Sequence, residues 1–488
     1  MIQSVDVFQD IKTAMPEVAT AAFALWLLVF SAFKKHQAFA VASFLSCAFL
    51  VGIIVVCFGM FGQYDEPVVA FGGLYIQDYF SLSIKMLIAL GTLISLIYVY
   101  FDMKQTQIGR FEAPVLMILS MLGMFFMVSA HDLLTLYVGL ELQSLALYIL
   151  ASFNRHSYKA PEAGMKYFIL GAIASGMLLF GMSFVYGFAG HTGFGVLEEV
   201  LNGTTYNVGL TVGLAFMLVG LAFKISAVPF HMWTPDVYQG APASVTAFFA
   251  IVPKIAAICL IMRLLNGPFG GLQDQWVQIV YALSMASMVL GAFAGLVQTS
   301  IKRLLAYSSI GNIGYALMGI VAGGADGGAS VVVYMTVYMI MTAGTFGVVL
   351  SLRKGGVAVE EIADFKGLSK TSPFHAYAMT LFMFSLSGIP PLAGFFGKLV
   401  VFKAAVDSGY IVLAVIGVLT SVVAAYYYLR IIKTMFFDEE DAGMDEIQIV
   451  PYAAQHGTLV ATLAVVVGFC VVPAVLIEYA EVLVRSLF

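Results

Sequence analysis

The sequence predicts an all-α polytopic membrane protein of about 14 transmembrane helices, and three observations lead there. First, of 488 residues 61% are hydrophobic and only 10% charged, and mean hydropathy is +0.96. A soluble domain carries about 25% charged and about 45–50% apolar residues, and no water-soluble fold of this size hides so much apolar surface. Second, the apolar residues fall in runs of roughly 20, the length of a bilayer-crossing helix, not in the alternating segments of about 10 residues that build a barrel. Third, the basic residues collect in alternate connections.

Bounded by charge, Gly or Pro, the runs lie at about 15–33, 37–60, 76–101, 111–129, 132–152, 162–188, 208–238, 242–265, 275–298, 302–322, 328–351, 374–406, 410–435 and 456–484. The first has no small-residue cleavage signature and reads as a retained span. The longest polar stretches, Arg353 to Ser372 and Asp438 to Gln448, read as interhelical connections, so the whole of 1–488 is one transmembrane domain.

Connections after odd-numbered spans hold Lys34, Lys35, Lys104, Arg110, Arg155, Lys159, Lys302, Arg303, Arg353, Lys354, Lys366, Lys370, Arg430 and Lys433. The opposite side has only Lys12, Arg263, Lys403 and Arg485, with acidic clusters at Asp65-Glu66 and Glu198-Glu199. The positive-inside rule makes the basic side cytoplasmic and puts both termini outside.

Two spans are long and interrupted: the seventh by Pro229 and Pro235, the twelfth by Ser387-Gly388-Ile389-Pro390-Pro391. Proline removes a backbone donor, so both helices should break, and lipid tolerates a break only where protein or water satisfies the freed groups. Two breaks five spans apart suggest two inverted five-helix repeats, 111–265 and 275–435. They follow three N-terminal helices (1–110) and precede a C-terminal helix (456–488). Two incidental kinks are the plainer reading, and no residue-level self-similarity joins the halves.

Charges remain inside the spans: Lys85, Glu141, Lys166, Lys224, Lys254 and Lys398, with His231 beside them. A charge at the bilayer centre costs about 2.5–3.5 kcal/mol on insertion scales, so such residues are functional candidates by default. Glu141 is near the middle of its span, Lys224 lies just before the seventh-span break, and Lys254 is central in the eighth. Lys398 falls about 8 residues past the middle of the twelfth, roughly 12 Å toward the outer side. Burial disfavours the charged form of a lysine while a nearby carboxylate favours it, the balance a proton relay needs. His231 could bridge two lysines, since imidazole both accepts and donates a proton. The competing readings are a structural ion pair for Glu141, Lys224 and Lys254, snorkelling for Lys398 and a satisfied core histidine for His231. Lys166 and Lys85 suit interface anchoring as well as function, and His131-Asp132 reads as a helix cap. The four cysteines, Cys47, Cys57, Cys259 and Cys470, form no CxxC or metal-type spacing, which disfavours iron–sulfur, zinc and a disulfide framework. A net charge of −5 without a basic patch argues against nucleic acid.

The segment Lys224 to Pro242, K-I-S-A-V-P-F-H-M-W-T-P-D-V-Y-Q-G-A-P, resembles the proton-conducting motif of the subunit N family of NADH-quinone oxidoreductase, one of three antiporter-like membrane subunits of bacterial complex I. The likeness extends over nearly the whole chain: E-L-Q-S-L-A-L-Y at Glu141, E-A-G-M-K-Y-F at Lys166, V-P-K-I-A-A at Lys254, and S-G-I-P-P-L-A-G-F-F-G-K ending at Lys398. The related L and M subunits and sodium/proton antiporters more usually read L-P-D-A, followed later by a histidine-rich stretch that is absent here.

The resemblance implies 14 helices with two inverted repeats and a relay of Glu141, Lys224, His231, Lys254 and Lys398. It also implies a fifth-span glutamate paired with the seventh-span lysine, with Lys166 an N-type feature. The expected activity is proton translocation in an NADH:quinone oxidoreductase of the bacterial inner membrane, beside other membrane subunits. No cofactor is expected in this chain; FMN, iron–sulfur clusters and quinone belong to partner subunits. The rival functions are a cation/proton antiporter subunit of a multi-subunit secondary transporter and a purely structural membrane subunit.

Overall fold

A backbone in lipid finds no outside partner, so each apolar run closes its hydrogen bonds on itself as helix. A computed structural model of the chain describes residues 7–34, 37–62, 66–203, 208–439, 447–449 and 452–487. Lys35 and Asp65, counted in the charge argument, lie outside the described residues. Eleven described helices are long and apolar enough to cross a membrane, and they occupy the first to third, fifth to eleventh and thirteenth expected spans.

The other three spans depart from a plain helix. The fourth, Glu112–Val128, has 17 residues. The twelfth is divided into Pro373–Ser387 and Ala393–Asp407, as its prolines predict. The fourteenth, expected to run straight, bends by 92° between Ala453–Gly468 and Pro473–Leu487. Pro473 has no N–H to continue the ladder, so the first half closes early, Val471 N–H donating to Gly468 O. The seventh span also breaks where expected. Helix Val208–Ile225 ends one residue after Lys224, and the chain resumes as Trp233–Gly240. At the break Ser226 takes φ 63°, and its hydroxyl accepts from Thr234 Oγ1 at 2.7 Å.

The third and fifth spans start on side-chain caps. Asp78 and Ser81 form a capping box on Tyr79–Gln105, the third span. Asp132 accepts from Leu134 N–H at 2.7 Å to open the fifth span, Leu133–Ala151, as the cap reading predicts. The short connections reveal sidedness. Bridges Tyr75↔Ala130 and Asp132↔Gly193 join the connections after spans 2, 4 and 6. Bridge Ser300↔Glu361 joins those after spans 9 and 11. The strands Val357–Ala358, Leu352–Lys354 and Ile447–Ile449 pair in that order and bring in the connection after span 13. The two polar stretches read as plain connections thus share a small sheet.

The third span is the pillar of the N-terminal part. Lys85 pairs with Glu17 of the first span at 2.6 Å. Asp78 holds Arg263 of the eighth span at 2.8 Å, and Asp102 holds Arg353 at 2.7 Å. All six groups are buried, and each charge has a partner, as burial demands. The eighth, tenth and eleventh spans, Ala243–Asn266, Ile301–Ala322 and Gly324–Ser351, are almost wholly enclosed and form the axis around which the others pack. Glycines let neighbouring helices approach at backbone distance. A Cβ at Gly123 would lie 2.6 Å from Gly139 O, and one at Gly291 would lie 2.5 Å from Gly311 N. These pairs open the two expected repeats, at spans 4–5 and 9–10.

Candidate functional site

Three of the expected site residues share one construction. Lys224, Lys254 and Lys398 are buried, and among the described residues each ammonium meets hydroxyl or carbonyl oxygens and an aromatic ring rather than a carboxylate. Lys224 Nζ donates to Ser144 Oγ at 2.5 Å and Tyr148 OH at 3.2 Å, and lies 5.4 Å from the Tyr148 ring centre. Lys254 Nζ donates to Ser309 Oγ and lies 5.5 Å from the Tyr238 ring. Lys398 Nζ donates to Ser387 O at 3.0 Å and Ser421 Oγ at 2.8 Å, and lies 5.0 Å from the Tyr315 ring. The ring faces offset part of the desolvation of each cation.

The hydroxyls matter chemically because they serve both states of a lysine: they accept from the ammonium and can donate to the amine. A carboxylate can only accept, so it commits a lysine to the charged form. Lys85 is the contrast. Its three ammonium protons go to Glu17 Oε1, Tyr75 OH and Gln77 Oε1 at 2.6–2.8 Å. The interface-anchoring reading of Lys85 fails, because the side chain is wholly buried and locked in an ion pair whose acid, Glu17, was not foreseen.

The expected contact of Glu141 with Lys224 is not direct. Ser144 and Tyr148, three and seven residues further along the same helix face, supply the lysine's hydrogen bonds. Among the described residues the Glu141 carboxylate makes no ion pair with Lys224, and its buried Oε1 has no hydrogen-bond partner. His231 lies in the seventh-span break. It is half-buried, its Nδ1 is buried without a hydrogen-bond partner, and among the described contacts it bonds to neither lysine. Lys398 does not stand off toward the outer side. The Cα–Cβ bond of a helical residue tilts toward the N-terminus, so Lys398 reaches back into the twelfth-span break and holds the freed carbonyl of Ser387. That geometry replaces snorkelling.

Lys166 is half-buried and takes part in a surface network. It pairs with Glu162 and Asp236, both at 2.8 Å, and Asp236 also binds Arg303 at 2.7 Å. The cluster lines a cavity of about 130 Å³ beside the resumed seventh span. The hydroxyl partners Ser144, Tyr148, Ser309 and Ser421 went unnoticed in the sequence. Only the first two carried a signal, their spacing from Glu141.

Residues 130–424 match the family described as NADH:quinone oxidoreductase/Mrp antiporter, transmembrane. NADH-quinone oxidoreductase subunit N of Rhodospirillum rubrum is 50% identical over 475 residues, 97% of either chain. Subunit N 1 of Rhizobium meliloti is 50% identical over 433 residues, covering 88% of this chain and 89% of that one. Among solved structures, a chain of respiratory complex I from Thermus thermophilus aligns with TM-score 0.81 and 29% identity, covering 95% of this chain and 98% of its own. A chain of the Mrp complex from Dietzia aligns with TM-score 0.84 at 22% identity over 97% of both, a likeness of fold.

Proposed function

The chain belongs to the NADH:quinone oxidoreductase/Mrp antiporter transmembrane family, and on that premise we propose that it is a proton-translocating membrane subunit of a bacterial NADH:quinone oxidoreductase. The observation that carries the reading is that, among the described residues, Lys224, Lys254 and Lys398 meet hydroxyls, with one carbonyl at Lys398, and no carboxylate, which favours lysines that exchange protons over lysines that hold helices together. Protons enter from the cytoplasmic side by the broken seventh span and pass Lys224, His231 and Lys254. They leave past Lys398. Glu141 biases Lys224 through its field, and quinone chemistry in neighbouring subunits alters that bias. The two repeats, 111–265 and 275–435, each supply one broken helix to the path. Lys166 sits at the cytoplasmic mouth, bridging the sixth span to Asp236.

Electron transfer is assigned to partner subunits carrying FMN, iron–sulfur clusters and quinone. The cysteines here supply no cluster ligation, since Cys47 and Cys57 share the second span, with Cys259 in the eighth and Cys470 in the fourteenth. The protein lies in the inner membrane with both termini on the outer side, beside other membrane subunits of the complex.

The test is NADH-driven quinone reduction and proton pumping in membranes carrying Lys224→Ala, with assembly verified. Loss of both in an intact complex is expected; normal values for both would sink the relay. Copurification with flavin and iron–sulfur subunits separates this function from that of a free-standing antiporter.

A further inference from the structure

Between Lys254 and Lys398 the tenth span presents a polar seam. Ser309, the partner of Lys254, Asn312 and Tyr315, whose ring lies against Lys398, follow at intervals of three residues. At 1.5 Å per residue the seam is about 9 Å long, with Asn312 at its midpoint. Tyr338 OH donates to Ser309 Oγ at 2.7 Å on the Lys254 side. On the Lys398 side Tyr315 OH lies 3.5 Å from Thr420 Oγ1, one residue before the Ser421 that holds Lys398.

Asn312 is buried, and its amide is fully directed. Its Nδ2 donates to the Ser308 carbonyl at 2.8 Å and to Ser308 Oγ at 3.3 Å, while its Oδ1 accepts from Tyr334 OH at 2.6 Å. The backbone carbonyl accepts only, so it fixes which end of the amide is nitrogen. Ser308 Oγ in turn lies 2.5 Å from Tyr428 OH. Ser308 Oγ accepts from the amide, and either hydroxyl of the Ser308–Tyr428 pair can donate to the other. The four groups form a connected chain, Tyr334 to Asn312 to Ser308 to Tyr428, with a fixed sense as far as Ser308 and all buried. Such groups contribute little stability in a membrane, where leucine and phenylalanine would fill the same space without needing partners.

We propose that Asn312 is a positioning residue of the proton path, fixing the Tyr334 hydroxyl as a donor and the Ser308 hydroxyl as an acceptor midway between Lys254 and Lys398. A carboxamide does not itself pass a proton on; it orders the hydroxyls, and the proton crosses this stretch along the face they share. The inference rests on the reading of Lys254 and Lys398 as proton carriers.

The experiment uses the assembled oxidoreductase in native membranes with Asn312→Leu, Asn312→Gln, Tyr334→Phe and, as reference, Lys254→Ala. Coupled NADH:quinone turnover and pumping should fall about five- to tenfold in Asn312→Leu and Tyr334→Phe at unchanged assembly, the effect of one lost hydrogen bond on a barrier. The solvent deuterium isotope effect should rise, and Asn312→Gln should regain part of the rate. A purely structural amide would lower the amount of complex and leave both the specific rate and the isotope effect alone, which would overturn the proposal. If Asn312→Leu does not assemble, Tyr334→Phe decides, and a normal rate there overturns it. Normal pumping in Lys254→Ala would remove the relay itself. Loss in Lys254→Ala with normal Asn312→Leu removes only the role of Asn312.

Discussion

Five lysines are buried, and they divide by the chemistry of their partners, with Lys302 beside Glu360 at 3.1 Å. Lys85 is held by a carboxylate, a phenol and an amide, so its charge is fixed and its work is to join the first span to the third. Removing one member of such a pair leaves the other charge buried and alone, a cost of about 3–5 kcal/mol, whereas removing both is often nearly neutral. Lys85→Met should therefore sharply reduce the amount of assembled protein, and Glu17→Gln added to it should restore most of that amount, with normal turnover per assembled complex. Immunoblots of native gels beside specific activity measure this; a catalytic loss in the double variant would place Lys85 in the relay after all. The lysines and Glu141 were legible in the sequence because a charge stands out in an apolar run. Glu17 was not, since it sits in the first turn of its helix beside Pro16, where a surface position looks equally natural. Ser309 and Ser421 were hidden for another reason: serine is ordinary in a transmembrane helix, and only packing between distant spans brings these two to Lys254 and Lys398.

At the scale of elements, the broken twelfth span places Lys398. Gly388 caps the first half with φ 87°, and a Cβ there would lie 2.9 Å from Lys398 Cδ. Gly388→Ala thus adds backbone strain of about 1–3 kcal/mol and pushes the lysine off the Ser387 carbonyl. Gly409, at the other end of the second half, has φ 86° with nothing within 4 Å of an added Cβ, so Gly409→Ala carries similar strain without touching Lys398. Turnover should fall about tenfold in Gly388→Ala and stay near normal in Gly409→Ala, taking tenfold as roughly 1.4 kcal/mol on the barrier. Equal losses would assign the effect to helix strain alone. The breaks at spans 7 and 12 were readable because their prolines fall mid-run. Pro473 falls inside the fourteenth run in the same way and went unread, because the apolar run continues through Phe469-Cys470-Val471-Val472 and hydropathy carries no information about direction. The fold's helices were readable for the reason that bounds them: bilayer thickness sets their length, whatever packs beside them.

For the whole molecule, the open question is which face of the membrane each end meets. Bridges gather the connections after spans 2, 4 and 6 in one group, and bridges and a sheet gather those after 9, 11 and 13 in another. With alternating spans the two groups lie on opposite faces, and an even number of spans puts both termini with the first group. The basic residues concentrate in the second group, with Arg353, Lys354, Lys366 and Lys370 in its connections and Arg303 in the first turn of the tenth span, so the positive-inside rule predicts that face to be cytoplasmic. His191 and Val357 are exposed positions in connections of the two groups. A membrane-impermeant maleimide should label His191→Cys in spheroplasts and Val357→Cys in inside-out vesicles, each above the background of the unaltered chain, whose cysteines lie in apolar segments. The reversed pattern would turn the protein over and with it the direction of the proton path, placing the mouth at Lys166 and Asp236 outside. Labelling of both positions from one side would break the alternation among spans 7 to 11, which lie between them, and the seventh, broken between Ile225 and Trp233, would be the first to suspect.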